Sequence, residues 1–312
     1  MAKLFEYQSK QILRKAGIAT PKGGAVETAG EARAMATGIG GAVVVKAQVW
    51  TTSRAAKGLI RFADTSDEAA DHAAALLAET ATSGLVNRVL VEEKVGIERE
   101  FYIGLIIDDH AALVLIFSGV GGSGIEEIAH QHPDQVVRHT IDIRTGLREF
   151  EARDICAQAG INGKLMLSLS ALMLQFYEAA RGAEARSAEI NPLALTTKGD
   201  LLALDGRFTI DDYAVFRHPE LGIDIAREFD RAPAQLRRIA WNIEKGDYRG
   251  TFYFAQMDTD FHRGEKVIGF HGNGGGGAMI NMDALLRHGF RIADFVDTSG
   301  NPPPVRSTVL RG

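Results

Sequence analysis

Four polar residues stand where an apolar strand pattern leaves little room for them: Lys46 closing Val43-Val44-Val45, then Glu100, Asn191 inside Glu189-Ile190-Asn191-Pro192-Leu193, and Asp205. A bare ammonium at the end of a hydrophobic strand costs several kcal/mol to bury, so Lys46 calls for a phosphate or carboxylate nearby. Amide and carboxylate oxygens suit Mg²⁺, which prefers octahedral oxygen coordination shared with phosphate oxygens. Together these are the side chains that a nucleoside triphosphate and its metal require. A lysine snorkelling from a strand end accounts for Lys46 equally well.

Asn191 and Asp205 lie 14 positions apart, with the turn sequence Thr197-Lys198-Gly199-Asp200 almost midway. A β-hairpin over 187–196 and 201–210 would make them cross-strand neighbours able to share one hard cation, with Glu189 projecting from the same face. Ordinary turn polarity is the competing explanation, but the Glu189 to Leu193 run is apolar rather than loop-like.

The elements that must hold these residues follow from periodicity. Leu4, Tyr7, Ile12 and Leu13 predict an amphipathic first helix stopped by Gly17, and Thr28 with Glu31 predicts a capping box opening a second. A strand at 43–45, a small and charged loop over 51–57, a short strand at 59–62 and an Ala-rich helix over 66–80 come next. Strands at 88–94, 100–107 and 111–117 favour an antiparallel sheet. Helices are expected over 149–158 and 164–181, the latter with Leu165, Leu169, Leu172 and Phe176 in one stripe. Residues 1–229 read as one α+β domain and 230–247 as a helical connector. Residues 248–312 read as the start of an α/β domain: strand 266–270, a glycine turn, helix 278–287 and strand 292–296. About 60 residues are too few for a doubly wound domain, so the pattern reads as incomplete.

Two motifs carry rival readings. Gly272, Gly274 and Gly277 fit the dinucleotide-binding glycine pattern, with Asp297 as its ribose acid, although five glycines within six positions satisfy almost any glycine template. His130, His132 and His139 lack the companion ligands of a metal motif and read as solvated histidines. The loop Gly119–Gly124 serves either as a chain turn or as a phosphate approach.

The 312 residues fit about two domains, and 46% hydrophobic against 24% charged residues excludes global disorder. A net charge of -5 supplies no broad cationic face for nucleic acid. No apolar stretch approaches the roughly 20 residues that span a bilayer, which argues against a membrane partner. The single cysteine, Cys156, points to a reducing, cytoplasmic setting.

Six ordered segments also carry a resemblance: Leu4 to Leu13, Val44-Val45-Lys46-Ala47-Gln48-Val49, Leu90-Val91-Glu92 with Glu100, Ala188 to Leu193, Leu204-Asp205-Gly206, and Gly272 to Met279. In order and spacing they resemble the β subunit of succinyl-CoA synthetase and the wider ADP-forming acyl-CoA synthetases, which include malate–CoA ligase and the ATP-citrate-cleaving relatives. The resemblance implies an ATP-grasp domain followed by an incomplete flavodoxin-like CoA-ligase domain. It implies nucleotide contacts from Lys46, Ser53, Arg54, Glu92, Glu93, Val95 and Glu100, with Mg²⁺ on Asn191 and Asp205. ATP or GTP and CoA are implied as substrates, the CoA held mainly by an α-type partner that carries the phosphorylated histidine. Glu189 matches the carboxylate that meets that histidine, so Glu189, Lys46 and Arg54 are the catalytic candidates. Asn273, Gly274, Gly275 and Gly276 match the turn facing the phosphohistidine loop and the small carboxylate substrate.

The sequence departs from the family pattern twice. Trp50 to Gly58 replaces a glycine-rich basic loop, and Asp297-Thr298-Ser299-Gly300-Asn301-Pro302 replaces a glycine-rich turn. These leave nucleotide affinity and the choice of di- or tricarboxylate open. A carboxylate–amine ligase sharing the first domain, and a truncated chain that only binds nucleotide or a partner, are the alternatives.

Overall fold

The computed structural model describes residues 2–51, 54–81, 84–108, 112–121, 136–223, 236, 239–240, 242–243, 247, 252–258, 260–272 and 274–298. The chain divides into two compact units, Met1–Ile223 and Asp224–Gly312. In the first, the elements run β1 (Ala2–Lys3), α1 (Glu6–Lys15), β2 (Gly23–Val26), α2 (Ala29–Ile39), β3 (Val43–Ala47), β4 (Ile60–Ala63) and α3 (Ser66–Leu77). After these come β5 (Thr80–Ala81), β6 (Gly84–Leu85), β7 (Val89–Glu93), β8 (Ile97–Asp108), β9 (Ala112–Ser118) and β10 (Val136–Ile141). The unit closes with α4 (Glu149–Gln158), α5 (Gly163–Gly182), β11 (Ala185–Thr196), β12 (Leu201–Ala203) and β13 (Gly206–Ile210).

Two antiparallel sheets organise this unit. The smaller has the order β2-β7-β3-β4, and its core is built from Val43, Val45, Val89 and Val91 packed with Ala32, Ala36, Ala69, Ala73 and Leu76 of α2 and α3. Both helices open with the same device: Thr28 accepts from the Glu31 N–H at 3.2 Å and Thr65 from the Glu68 N–H at 3.2 Å, each glutamate returning to the cap backbone. The larger sheet runs β1-β13-β11-β8-β9-β10, with β12 paired to β11. Leu169, Leu172 and Phe176 of α5 are buried, and Phe176 meets Phe208 of β13 edge-on with centroids 6.2 Å apart.

Helix α1 departs from the simple amphipathic expectation. It buries Ile12 and Leu13, but also Glu6, Gln8, Ser9 and Lys10, while Tyr7 stays half-buried. The reason is position: α1 packs beside β13 and sends Lys10 to β7 of the other sheet, so its inward face meets polar groups from both.

The expected hairpin is present with one change. Leu193 pairs with Ala203 and Glu189 with Arg207, a register that puts Asn191 opposite Asp205. However, the return strand is split at Leu204–Asp205 into β12 and β13, which leaves the Leu204 carbonyl free of the ladder. In the second unit, β14 (Tyr253–Gln256), β15 (Val267–Gly272), α6 (Gly275–Arg287) and β16 (Arg291–Asp297) form a three-stranded sheet of order β14-β16-β15. β15 and β16 are parallel across α6, the βαβ unit read from the sequence, while β14 is antiparallel to β16.

Candidate functional site

Strand β3 delivers Lys46, β7 delivers Glu92, and α1 delivers Glu6 and Lys10 one helical turn apart. Lys10 Nζ lies 2.9 Å from Glu6 Oε1 and 2.5 Å from Glu92 Oε2. Lys46 Nζ reaches the same two carboxylates at 2.8 and 3.0 Å. Both ammoniums also donate to the Leu204 carbonyl, at 2.8 Å from Lys10 and 2.7 Å from Lys46, which is where the break between β12 and β13 becomes useful. Every charged head here is enclosed: Lys10 is 0% and Glu92 1% exposed.

Burial by itself pushes the Glu6 carboxyl up, but Lys10, then Lys46 and Arg54, outweigh it and hold it well below the usual carboxylate range. Lys10 moves the other way from Lys46. Burial, with Lys46 adding repulsion, lowers Lys10. Burial is overcome at Lys46 by Glu6, Glu92 and Asp205, which raise it. The asymmetry makes physical sense because Lys46 gains attraction from a third carboxylate.

Arg54 extends this cluster outward. Its NH2 group lies 2.5 Å from Glu6 Oε2 and 2.8 Å from Asp205 Oδ2, and its NH1 group donates to the Ala47 carbonyl at 3.1 Å. Burial opposes its charge, but Glu6 and Asp205 raise its pKa further above the usual arginine value. Beyond Arg54 opens a cavity of about 290 Å³ lined by Glu6, Trp50, Arg54, Tyr102, Glu189, Asp205 and Arg207, among others. Glu189 faces Tyr102, whose hydroxyl donates to Oε2 at 3.4 Å, and Arg207, whose NH1 lies 3.7 Å from Oε1.

Two residues that line this cavity each carry a buried atom with no hydrogen-bond partner among the described residues: Asp205 Oδ1 and Trp50 Nε1. A carboxylate with one oxygen paired to Arg54 and the other unmatched fits a hard cation. Asn191 lies alongside, its N–H donating to the Asp205 carbonyl at 3.1 Å. Among the described residues no three His, Cys, Asp or Glu side chains gather as a cage, so a metal here would take most of its ligands from a bound phosphate or water, as Mg²⁺ does.

The sequence candidates therefore separate. Arg54, Glu189 and Asp205 meet in one cavity, while Lys46 and Glu92 lie in the adjoining closed cluster and are not among the residues lining that cavity. Glu93 accepts from the Lys22 N–H at 2.9 Å, Val95 follows β7, and Glu100 sits on β8 opposite Ala194. Gly274 precedes α6 with a φ of 99° and donates its N–H to Asp297 at 3.1 Å; Gly275 and Gly276 form the exposed first turn of α6. That bond ties Asp297 at the end of β16 to the turn that opens α6. His139 lies 3.6 Å from Glu151. Ser53, Asn273, His130 and His132 lie outside the described residues.

Sequence reasoning missed Glu6, Lys10, Trp50, Tyr102 and Arg207. The four-residue spacing of Glu6 and Lys10 was a usable signal, since such pairs face one another on a helix.

An ATP-grasp domain family model matches residues 3–195. The chain is 37% identical over 302 residues to the GDP-forming succinate–CoA ligase β subunit of Thermus thermophilus, covering 95% of this chain and 74% of that protein. It is 34% identical over 298 residues to the ADP-forming β subunit of Ignicoccus hospitalis, with coverage of 95% and 74%. Among solved structures, ATP citrate lyase from Methanothrix soehngenii, in complex with citrate and coenzyme A, superposes with a TM-score of 0.70 at 17% identity, over 96% of this chain and 72% of that one. A dinucleotide-forming acetyl-coenzyme A synthetase from Ca. Korarchaeum cryptofilum gives 0.55 at 17% identity, over 67% and 93%.

Proposed function

The chain belongs to the succinate–CoA ligase β-subunit family, nucleotide-dependent acid–thiol ligase subunits, and from that premise we propose that its cavity passes the γ-phosphoryl group of ATP or GTP to a histidine of an α-type partner. The observation that carries this reading is the convergence of Arg54, Glu189 and Asp205 on one cavity, with Asp205 Oδ1 unmatched among the described residues. Arg54 exchanges Asp205 Oδ2 for phosphate oxygens, and Lys46 behind it adds positive charge at the same end. Asn191 and Asp205 would hold Mg²⁺, which would supply positive charge to offset that developing on the transferred phosphoryl group.

Glu189 accepts the Nδ1–H of the incoming neutral imidazole, leaving Nε2 free to attack phosphorus. The bond from the γ-phosphorus to the β–γ bridging oxygen breaks, the N–P bond forms, and the nucleoside diphosphate departs with that oxygen. No proton leaves the imidazole, so the cation formed is stabilised by the Glu189 carboxylate. Phosphoryl transfer to a carboxylate and thiolysis by CoA, held mainly by the partner, then give the acyl-CoA. Glu92, Glu93 and Val95 supply the hinge beside the nucleotide base, with Ser53 and Glu100 nearby. Residues 248–312 start a flavodoxin-like CoA-ligase domain whose turn at 273–276 faces the phosphohistidine loop and a di- or tricarboxylate. The lone buried Cys156 suits work in the cytoplasm.

The test combines the chain with a purified α-type subunit, ATP or GTP, Mg²⁺, CoA and a panel of di- and tricarboxylates. Acid-labile phosphohistidine on the partner and one preferred acyl-CoA are expected. Absence of phosphohistidine with either nucleotide overturns the proposal.

A further inference from the structure

Glu189 lies on β11 between two strands that pair with it directly: Gly104 of β8 stands opposite it on one side and Arg207 of β13 on the other. Residues opposite one another in antiparallel strands share a sheet face, and so do residues two apart along a strand, so Tyr102, Gly104, Glu189 and Arg207 project from one face. Both neighbouring strands reach the carboxylate. The Tyr102 hydroxyl donates to Oε2 at 3.4 Å, and Arg207 NH1 lies 3.7 Å from Oε1. Gly104 leaves room for the first contact, because a Cβ there would lie 2.5 Å from the Tyr102 hydroxyl oxygen and 3.0 Å from two of its ring carbons.

The second terminal nitrogen of Arg207 is engaged elsewhere. NH2 donates to the Thr51 carbonyl at 3.2 Å, and Thr51 lies three positions before Arg54. One guanidinium thus touches both the Glu189 carboxylate and the segment that leads to Arg54. These contacts contribute little to the fold, since the Arg207 and Glu189 side chains are 42% and 32% exposed and ion pairs so open to solvent are weak. What they supply is direction. A long, rotatable carboxylate helps an imidazole only when it is held at the angle that accepts the Nδ1–H.

Resting on the phosphoryl-transfer reading above, we propose that Tyr102 and Arg207 are positioning residues for that reaction. They hold the Glu189 carboxylate from both sides in the orientation that receives the partner's imidazole, and Arg207 links that orientation to the segment before Arg54. The bond made and the bond broken are those already described, and neither residue exchanges a proton.

A double-mutant cycle tests this, read as the rate of histidine phosphorylation in the complex with the α-type partner at saturating MgATP or MgGTP. Tyr102→Phe and Arg207→Met are each expected to slow the step about three- to tenfold, and by no more than Glu189→Ala, because a residue acting only through Glu189 cannot cost more than its loss. In the Glu189→Ala background neither should slow it further by more than about 1.5-fold, whereas a general structural role would act equally in both backgrounds. Arg207→Met should also raise nucleotide KM about two- to fivefold in both backgrounds, since it releases the Thr51 carbonyl, while Tyr102→Phe leaves KM within about 1.5-fold of wild type. Single variants at the wild-type rate, or a slowing that persists undiminished beside Glu189→Ala, overturn the assignment. If one variant fails to fold, the other completes its own cycle. Crystal structures give a readout that needs no phosphoryl transfer: the Glu189 carboxylate should hold one orientation in the wild type and leave it in each variant, and a carboxylate unmoved in both overturns the proposal. A wild-type complex forming no phosphohistidine sinks the function reading instead, and the crystal structures then judge the hold on Glu189 by themselves.

Discussion

Two adjacent groups in the first unit use cations and carboxylates to opposite ends. In the inner group, Glu6, Lys10, Lys46 and Glu92 share two ammoniums, two carboxylates and the Leu204 carbonyl, and each ion faces partners at 2.5–3.0 Å. In the outer group, Arg54, Asp205, Glu189, Arg207 and Trp50 line open volume, and a buried atom of Asp205 and one of Trp50 find no partner among the described residues. The difference teaches that buried charge alone does not mark a site of chemistry. A closed set of ions fixes two sheets and a helix relative to one another, whereas an open set with unmatched atoms is built around something else.

The largest effect should come from opening the closed group. Lys10→Met leaves Glu6 and Glu92 with one ammonium fewer and is expected to destabilise the first unit by about 3–5 kcal/mol, measured by urea unfolding of the whole chain, because removing one partner strands a buried charge. Equal stability to wild type would dissolve the distinction between the two groups. In the open group, Asp205→Asn should lower partner phosphorylation by at least about 100-fold while reducing stability less than Lys10→Met, since Asp205 is only partly buried and asparagine keeps an oxygen for Arg54. Glu189→Gln should slow phosphorylation about tenfold, with nucleotide binding by calorimetry unchanged, because it acts on the acceptor histidine.

The smallest and sharpest test is pH. The Glu6 carboxyl is held well below its unfolded value, so its contribution is fully present above the ordinary carboxylate range and is lost as pH falls through the lowered value. Acid titration of unfolding should therefore show stability falling in strong acid, and Glu6→Gln should flatten that fall.

Much of the frame was legible because it is local. The Thr28–Glu31 capping box, the stripe of α5 and the turn at 197–200 each rest on residues within a few positions of one another, and the register of the hairpin follows from the turn it closes on. The family was legible through ordered motifs. Arg54, Glu189 and Asp205 were legible as a set, though not what each would touch. Lys46 and Glu92 show why: from sequence both invite a ligand, but each is already answered by residues far along the chain, Lys46 by Glu6 and Leu204, Glu92 by Lys10. The split of the return strand at Leu204–Asp205 was hidden too, because an apolar alternation gives no sign that one carbonyl will be withheld from the ladder to receive two ammoniums.

The amino-acid sequence by itself determined most of the helices and several strands, the antiparallel and βαβ patterns, the family and the chemical types available for holding a phosphate and a metal, since all of these depend on periodicity, turn chemistry and residue identity. Only the tertiary structure decided which charges neutralise one another and which are left facing a cavity. That division depends on distances between charged side chains as much as 151 positions apart, and Coulomb attraction and desolvation act through space rather than along the chain.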